Sequence, residues 1–278
     1  MTIIPEDIHT FLYWVKDRTE AYWANNSNLI NPLKDDTWLH GAKWIGLEEA
    51  QIDEIEIKYS IWFTLEHRAF LKVLHTLDRK KPLTEDHVFE TPDGVLITEK
   101  SMFYNWLTDD GEIRMMLHWP YKTILHDVLK STWLDSWGEI LQSPLERERI
   151  FAEWYKQAPE LLPLYAHRFL ISEPQQGGNP VLSVWGADTI VYGWDLRSYL
   201  LSELEVELGL TEPYFDEEDQ EWYCRTIKEA QLIRDHGNMA NKEIPFWGEL
   251  IEYSSGGWVY SPSEWYNKLD SDESDGKK

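Results

Sequence analysis

Few of the reactive residues in this chain stand at a spacing that a mechanism requires. The one cysteine, Cys224, lies in Trp222-Tyr223-Cys224-Arg225. The neighbouring Arg225 favours a thiolate, whereas a lone cysteine in an aromatic segment ordinarily packs as an inert core residue. His67 and His75 are eight residues apart, as are His118 and His126. Ligands on one helix face need a separation of about three or four, so neither pair makes a helical two-histidine metal site. The tail Asp270-Ser271-Asp272-Glu273-Ser274-Asp275-Gly276 has the flavour of a calcium loop. Its glycine falls one position late and the chain ends before a closing glutamate, so a solvated acidic tail is expected. No Gly-x-Ser-x-Gly elbow and no Gly-Lys-Ser/Thr phosphate loop is present. Gly177-Gly178 before Asn179-Pro180 reads as a turn rather than a dinucleotide fingerprint. These observations predict no metal and no cofactor.

Acidic residues number 50 against 26 basic ones, a net charge of −24 over 278 residues. Such a surface opposes binding to nucleic acid or to anionic membranes and favours attraction to a basic partner. A single cysteine excludes an intrachain disulfide framework and fits a reducing compartment. The N-terminus carries acids where a signal peptide has its basic region, and no apolar run approaches the roughly 20 residues of a membrane span. The expectation is a cytoplasmic protein. The 16 tryptophans supply large apolar area with one donor each, suited to cores and to binding surfaces alike.

Periodicity then indicates the elements that must position these groups. Pro5, Glu6 and Asp7 open a helix carrying Ile8, Phe11, Leu12, Val15 and Tyr22, ended by Asn25 to Asn28. A second helix is predicted over 48–58 and a third from Thr64, a good N-cap. Short apolar runs at Val88-Phe89, 95–97, 103–106 and 113–117, with turns at Pro92-Asp93-Gly94 and Asp109-Asp110-Gly111, predict an antiparallel meander. Helices are expected over 121–129 and 145–158, and strands over 164–171, 181–185 and 189–192. Asp195 caps a helix running to Gly209, and an acidic helix is expected over 216–236.

Three stretches together resemble one family, the SUKH superfamily of bacterial immunity proteins and fungal cell-wall assembly regulators. The first is Trp44-Ile45-Gly46-Leu47 with the helix after it, where Ile52 and Glu56 match, continued by Arg68, Phe70 and Leu71 in the next helix. The second is the aromatic run 102–106, and the third comprises the late strands over 164–192. The chain diverges at Phe63-Thr64, where the family has leucine–proline, at His67, where it has tyrosine, and at 75–78, where it has Asn-Gly-Gly. The resemblance covers about 40–205. It implies an α+β fold with a mixed, mainly antiparallel sheet flanked by helices, and a protein that acts by binding other proteins without catalysis.

The expected organisation is a helical extension over 1–39, a SUKH-like domain over 40–209, a C-terminal extension over 210–269 and a disordered acidic tail over 270–278. The expected interface is the open sheet face with adjoining loops. Trp106, Trp119, Trp185, Tyr192 and Trp194 are its candidate anchors, and Asp109, Asp110 and Asp188 are candidate contacts to a basic protein. Trp44, Gly46, Leu47, Ile52, Glu56, Arg68, Phe70 and Leu71 are expected to be structural. Two other readings stay open: a carboxylate-dependent hydrolase, and a binder of a sugar or cation caged by tryptophans.

Overall fold

The computed structural model describes residues 4–25, 29–31, 34–173, 178–239 and 243–254. Among these the chain forms an α+β fold of eight α-helices and small antiparallel sheets. The expected turn at Gly177 and the acidic tail lie outside the described residues, as do Asn26 to Asn28.

Helix α1 (Ile8–Trp23) starts one turn after Pro5. Asp7 is its N-cap, accepting from the Thr10 amide at 2.9 Å. Its face of Phe11, Leu12, Val15 and Trp23 is fully buried. Helix α2 (Glu49–Tyr59) opens with a Glu48/Gln51 capping box and stops at Ser60, which takes a left-handed conformation. Helix α3 (Leu65–Leu74) is capped by Thr64, whose hydroxyl accepts from the His67 amide.

The residues expected to be structural seat these helices. Arg68 on α3 reaches back to Glu49, Asp53 and Glu56 of α2, and Glu56 also accepts from the Phe63 amide at 2.7 Å. The Trp44 indole donates to the Thr19 hydroxyl of α1 at 2.8 Å. A Cβ on Gly46 would lie 1.9 Å from the Lys72 carbonyl oxygen, so only glycine lets these backbones meet. Leu47 donates to the Leu71 carbonyl, while Ile52, Phe70 and Leu71 are buried.

The central correction concerns residues 109–130. The expected turn at Asp109-Asp110-Gly111 and strand over 113–117 are instead the start of one long helix, α4 (Asp110–Lys130). Five residues of mixed apolar character fit either period. Over 21 residues the buried set Ile113, Met116, Pro120, Ile124 and Val128 recurs every three or four positions and fixes the helix. The aromatic run 103–106 is likewise irregular backbone rather than a strand. Of the expected meander, only Phe89–Glu90 paired with Leu96–Ile97 forms, around a turn with Gly94 at positive φ.

Helix α5 (Pro144–Tyr155) follows, with Ser143 as N-cap and proline at its first position. The main sheet is a four-stranded meander: β1 (Glu160–Tyr165), β2 (Arg168–Ser172), β3 (Val181–Trp185) and β4 (Asp188–Gly193). All its pairs are antiparallel, so the mixed character expected of the sheet does not appear among the described strands. The single strand expected over 164–171 is two strands, turned at Ala166-His167 with Ala166 at φ 47°. Consecutive residues of β2 and β3 are buried, because helices cover the sheet: α4 packs on β1 and β3, while α6 (Leu196–Glu203) and α8 (Gly248–Ser254) pack on β4. Asp195 caps α6 in a box with Ser198, as its sequence predicts, but α6 ends at Glu203, short of Gly209.

The acidic helix expected over 216–236 is also corrected. A hairpin of β5 (Thr211–Asp216) and β6 (Glu221–Thr226) precedes α7 (Lys228–Met239). Aromatic residues that favour strands flank the turn and outweigh the acidic content. One apolar core runs from Ile4 and α1 through the sheet to Trp247 and Leu250.

Candidate functional site

The sequence-selected residues fall in three places. Trp106 is 2% exposed, its ring 5.4 Å from Tyr59 and 5.1 Å from Phe63 in edge contacts, and its amide donates to His75 Nε2 at 2.9 Å. It is core, not surface. Asp109 is buried as well; its carboxylate accepts from the Lys80 ammonium at 2.7 Å and from the Asn105 amide at 2.9 Å. Asp110 begins α4 and is committed to Lys58, Arg114 and the Tyr59 hydroxyl, which hold its carboxyl well below the usual range. Tyr192 and Trp194 are half-buried against the core, with Arg168 3.8 Å above the Tyr192 ring. Of these five, Trp106 and Asp109 are buried, whereas Asp110, Tyr192 and Trp194 are partly exposed.

Trp119 and Trp185 do come together, in the third place. Trp119 points from α4 toward the sheet, and its indole donates to the Val184 carbonyl of β3 at 3.0 Å. Trp185 ends β3 and is 59% exposed, its ring 5.2 Å from that of Trp119. Asp188 pairs with Trp185 in register across the β3–β4 turn and accepts from the Ser254 hydroxyl at 3.3 Å.

The turn itself is held rigidly. It has two loop residues, Gly186 and Ala187, with φ +63° at the glycine, a conformation that side chains disfavour. Asp127 of α4 accepts from the Ala187 amide at 2.9 Å. A Cβ on Gly186 would come within 2.0 Å of that same carboxylate oxygen. Thr189 Oγ1 donates to the Gly186 carbonyl at 3.0 Å. The Asp127 hydrogen bond ties the turn that follows Trp185 to helix α4.

Between helix and turn lies a groove of about 480 Å³, lined by Met115, Trp119, Lys122, Thr123 and His126 on one side and Trp185 and Gly186 on the other. The α4 residues Met115, Trp119, Lys122 and His126 follow the 4, 3, 4 spacing of one helix stripe. His167 packs edge-on to Trp185 at 5.7 Å, and burial together with Arg168 lowers its pKa. The lining combines the aromatic and thioether surfaces of Trp119, Trp185 and Met115 with the polar Lys122, Thr123 and His126. The lining carboxylate, Asp127, is occupied with the turn. This chemistry suits an apolar or aromatic side chain entering from solvent. Sequence reasoning missed Met115, Lys122, Thr123, His126 and Asp127, because reading 113–117 as a strand hid the stripe.

A second concentration of titratable groups is closed. His67 is fully buried between Phe63 and Phe70, and neither ring nitrogen has a hydrogen-bond partner among the described residues. Burial lowers its pKa to about 3 and that of His75 to about 4. Glu112 is 3% exposed, and burial, with Asp109 beside it, pushes its pKa up to about 7. Among the described residues no three of histidine, cysteine, aspartate and glutamate gather as metal ligands, and no helix is long and apolar enough to cross a membrane. No protein-family model, curated protein or solved structure matches this chain.

Proposed function

We propose that this chain is a non-catalytic, cytoplasmic protein-binding module that captures a basic protein, with the Trp119–Trp185 groove receiving an apolar anchor side chain. The observation that carries the reading is Trp185: a tryptophan more than half exposed, at the end of β3 beside a two-residue turn tied to α4, with its ring against that of Trp119. Anchors of this type dominate binding energy where they desolvate fully. The net charge of −24 supplies long-range steering toward a basic partner and disfavours nucleic acid and anionic lipid. The resemblance to the SUKH superfamily points the same way, toward an immunity protein that neutralises a toxin or a regulatory scaffold of cell-wall or signalling type.

Affinity capture from the native lysate tests this, with wild type and Trp185→Ser as baits at low and raised salt. A basic protein retained by wild type at low salt, released by salt and lost with the variant is the expected result. Equal capture by both baits would overturn the role of the groove.

A sugar or organic cation held against Trp119 and Trp185 is the second reading, favoured by the size of the groove. A saturable shift of tryptophan fluorescence with a small-molecule panel, abolished by Trp185→Ser, would establish it in place of the first.

A further inference from the structure

The hairpin β5–β6 carries a second surface, remote in sequence from the groove. Its register puts Pro213 opposite Cys224 and Phe215 opposite Trp222 on one face. Glu212 lies opposite Arg225, Tyr214 opposite Tyr223, and Asp216 opposite Glu221 on the other face. The first face bears no charge at these positions, yet it is open: Trp222 is 71% exposed and Phe215 42%, their rings 5.5 Å apart. Cys224 is exposed there too, and not the core residue its aromatic neighbours suggested. The second face and the tip are acidic. Residues 211–226 hold six carboxylates against one cation, Arg225, which is already paired with Glu212. Among the described residues no third strand joins this sheet, and β6 is exposed from Glu221 to Arg225.

An isolated two-stranded sheet is marginal in water, and a free edge is a template for a further strand. The alternation of the hairpin dictates what fits. A strand added beside β6 places every second side chain on the apolar face and the others on the acidic face. We infer that β6 is a docking edge for an extended segment of a partner protein in which apolar and basic side chains alternate, binding by strand addition. A second copy of this chain does not suit, because it would set one group of six carboxylates against another.

Cys224 is the only cysteine in the chain and reports on this face without mutation. The probe is a capped peptide of about nine residues alternating valine and lysine, long enough for one strand. With the full chain at low salt, the peptide is expected to slow alkylation of Cys224 by iodoacetamide about fivefold or more, and Trp222→Ser is expected to weaken binding about tenfold. Reversal of charge in Asp216→Lys with Glu221→Lys should weaken it similarly while keeping the exposed aromatics. Trp185→Ser should leave protection unchanged, which separates this surface from the groove. The inference is overturned if the peptide gives no protection at about 1 mM, the weak end of measurable affinity. It is also overturned if a lysine–serine or valine–glutamate peptide protects equally, or if Trp185→Ser abolishes protection.

Discussion

The two ends of α4 use the same kinds of residue for opposite purposes. At the N-terminal end, Trp106, His75, Asp109 and Glu112 are buried, and Trp106 and Asp109 have their polar atoms engaged by neighbouring backbone or side chains. At the C-terminal half, Trp119, Lys122, His126 and Trp185 surround an open groove. A perturbed titratable group is ordinarily a signal of function. Here His67, His75 and Glu112 at the closed end carry shifted pKa values with burial as the largest cause, and the open end has the geometry of a binding site. Exposure of the aromatic surface separates the two regions, whereas residue type does not.

This contrast can be broken by substitution. Trp106→Ala should cost about 3–5 kcal/mol, the range for a large aromatic removed from a packed core, seen as a lower urea midpoint. Retained stability would move Trp106 to the surface class. Glu112 gives the next effect. Its folded pKa of about 7 lies above its ordinary 4.5, so its neutral form is favoured on folding. The associated stability is complete below about pH 4.5 and is lost as pH rises through 7. Glu112→Gln should therefore stabilise the protein by about 3 kcal/mol at pH 8 and hardly at all at pH 4, measured by urea unfolding at both values. The buried histidines oppose it: their depressed pKa values give stability present above about pH 6.5 and lost on acidification toward 4 and 3.

At the open end the expected effects are smaller. Gly186→Ala should cost about 2 kcal/mol, since it strains a positive-φ position and displaces Asp127 from the Ala187 amide. Asp127→Ala alone should give about half of that in thermal unfolding and should loosen Trp185, reducing partner affinity. Trp185→Ala should change stability by no more than about 0.5 kcal/mol, because its ring is mostly in water. A large loss with Trp185→Ala would make it a core residue and remove the distinction between the two ends.

Much of the scaffold was legible in the sequence. The caps Thr64 and Asp195, and the Pro5-Glu6-Asp7 opening of α1, mark helix starts in chemistry local to a few residues. Strands β3 and β4 follow from β-branched residues around Gly186-Ala187-Asp188. The missed features depend on longer windows or on tertiary partners. The N-terminal half of α4 carries Asp-Asp-Gly, a turn signal, and its helical stripe shows only across five turns. The β1–β2 turn is Ala166-His167, which lacks the residues that announce turns, and its positive φ is held by the sheet on either side. The pairing of Trp119 with Trp185 joins positions 66 residues apart, and no local pattern carries that contact. Which tryptophans are surface was likewise illegible: Trp106 is buried by Tyr59 and Phe63, more than 40 residues away in sequence, whereas Trp185 ends β3 with more than half of its surface exposed.

The most direct measurement replaces Trp185 with a photoreactive benzoylphenylalanine in cells, with the same replacement at exposed Tyr13 of α1 as the control. A discrete adduct with one basic protein at position 185, absent at position 13, is the predicted result. No adduct at 185, or the same adducts from both positions, would contradict a partner-binding groove at the β3–β4 turn.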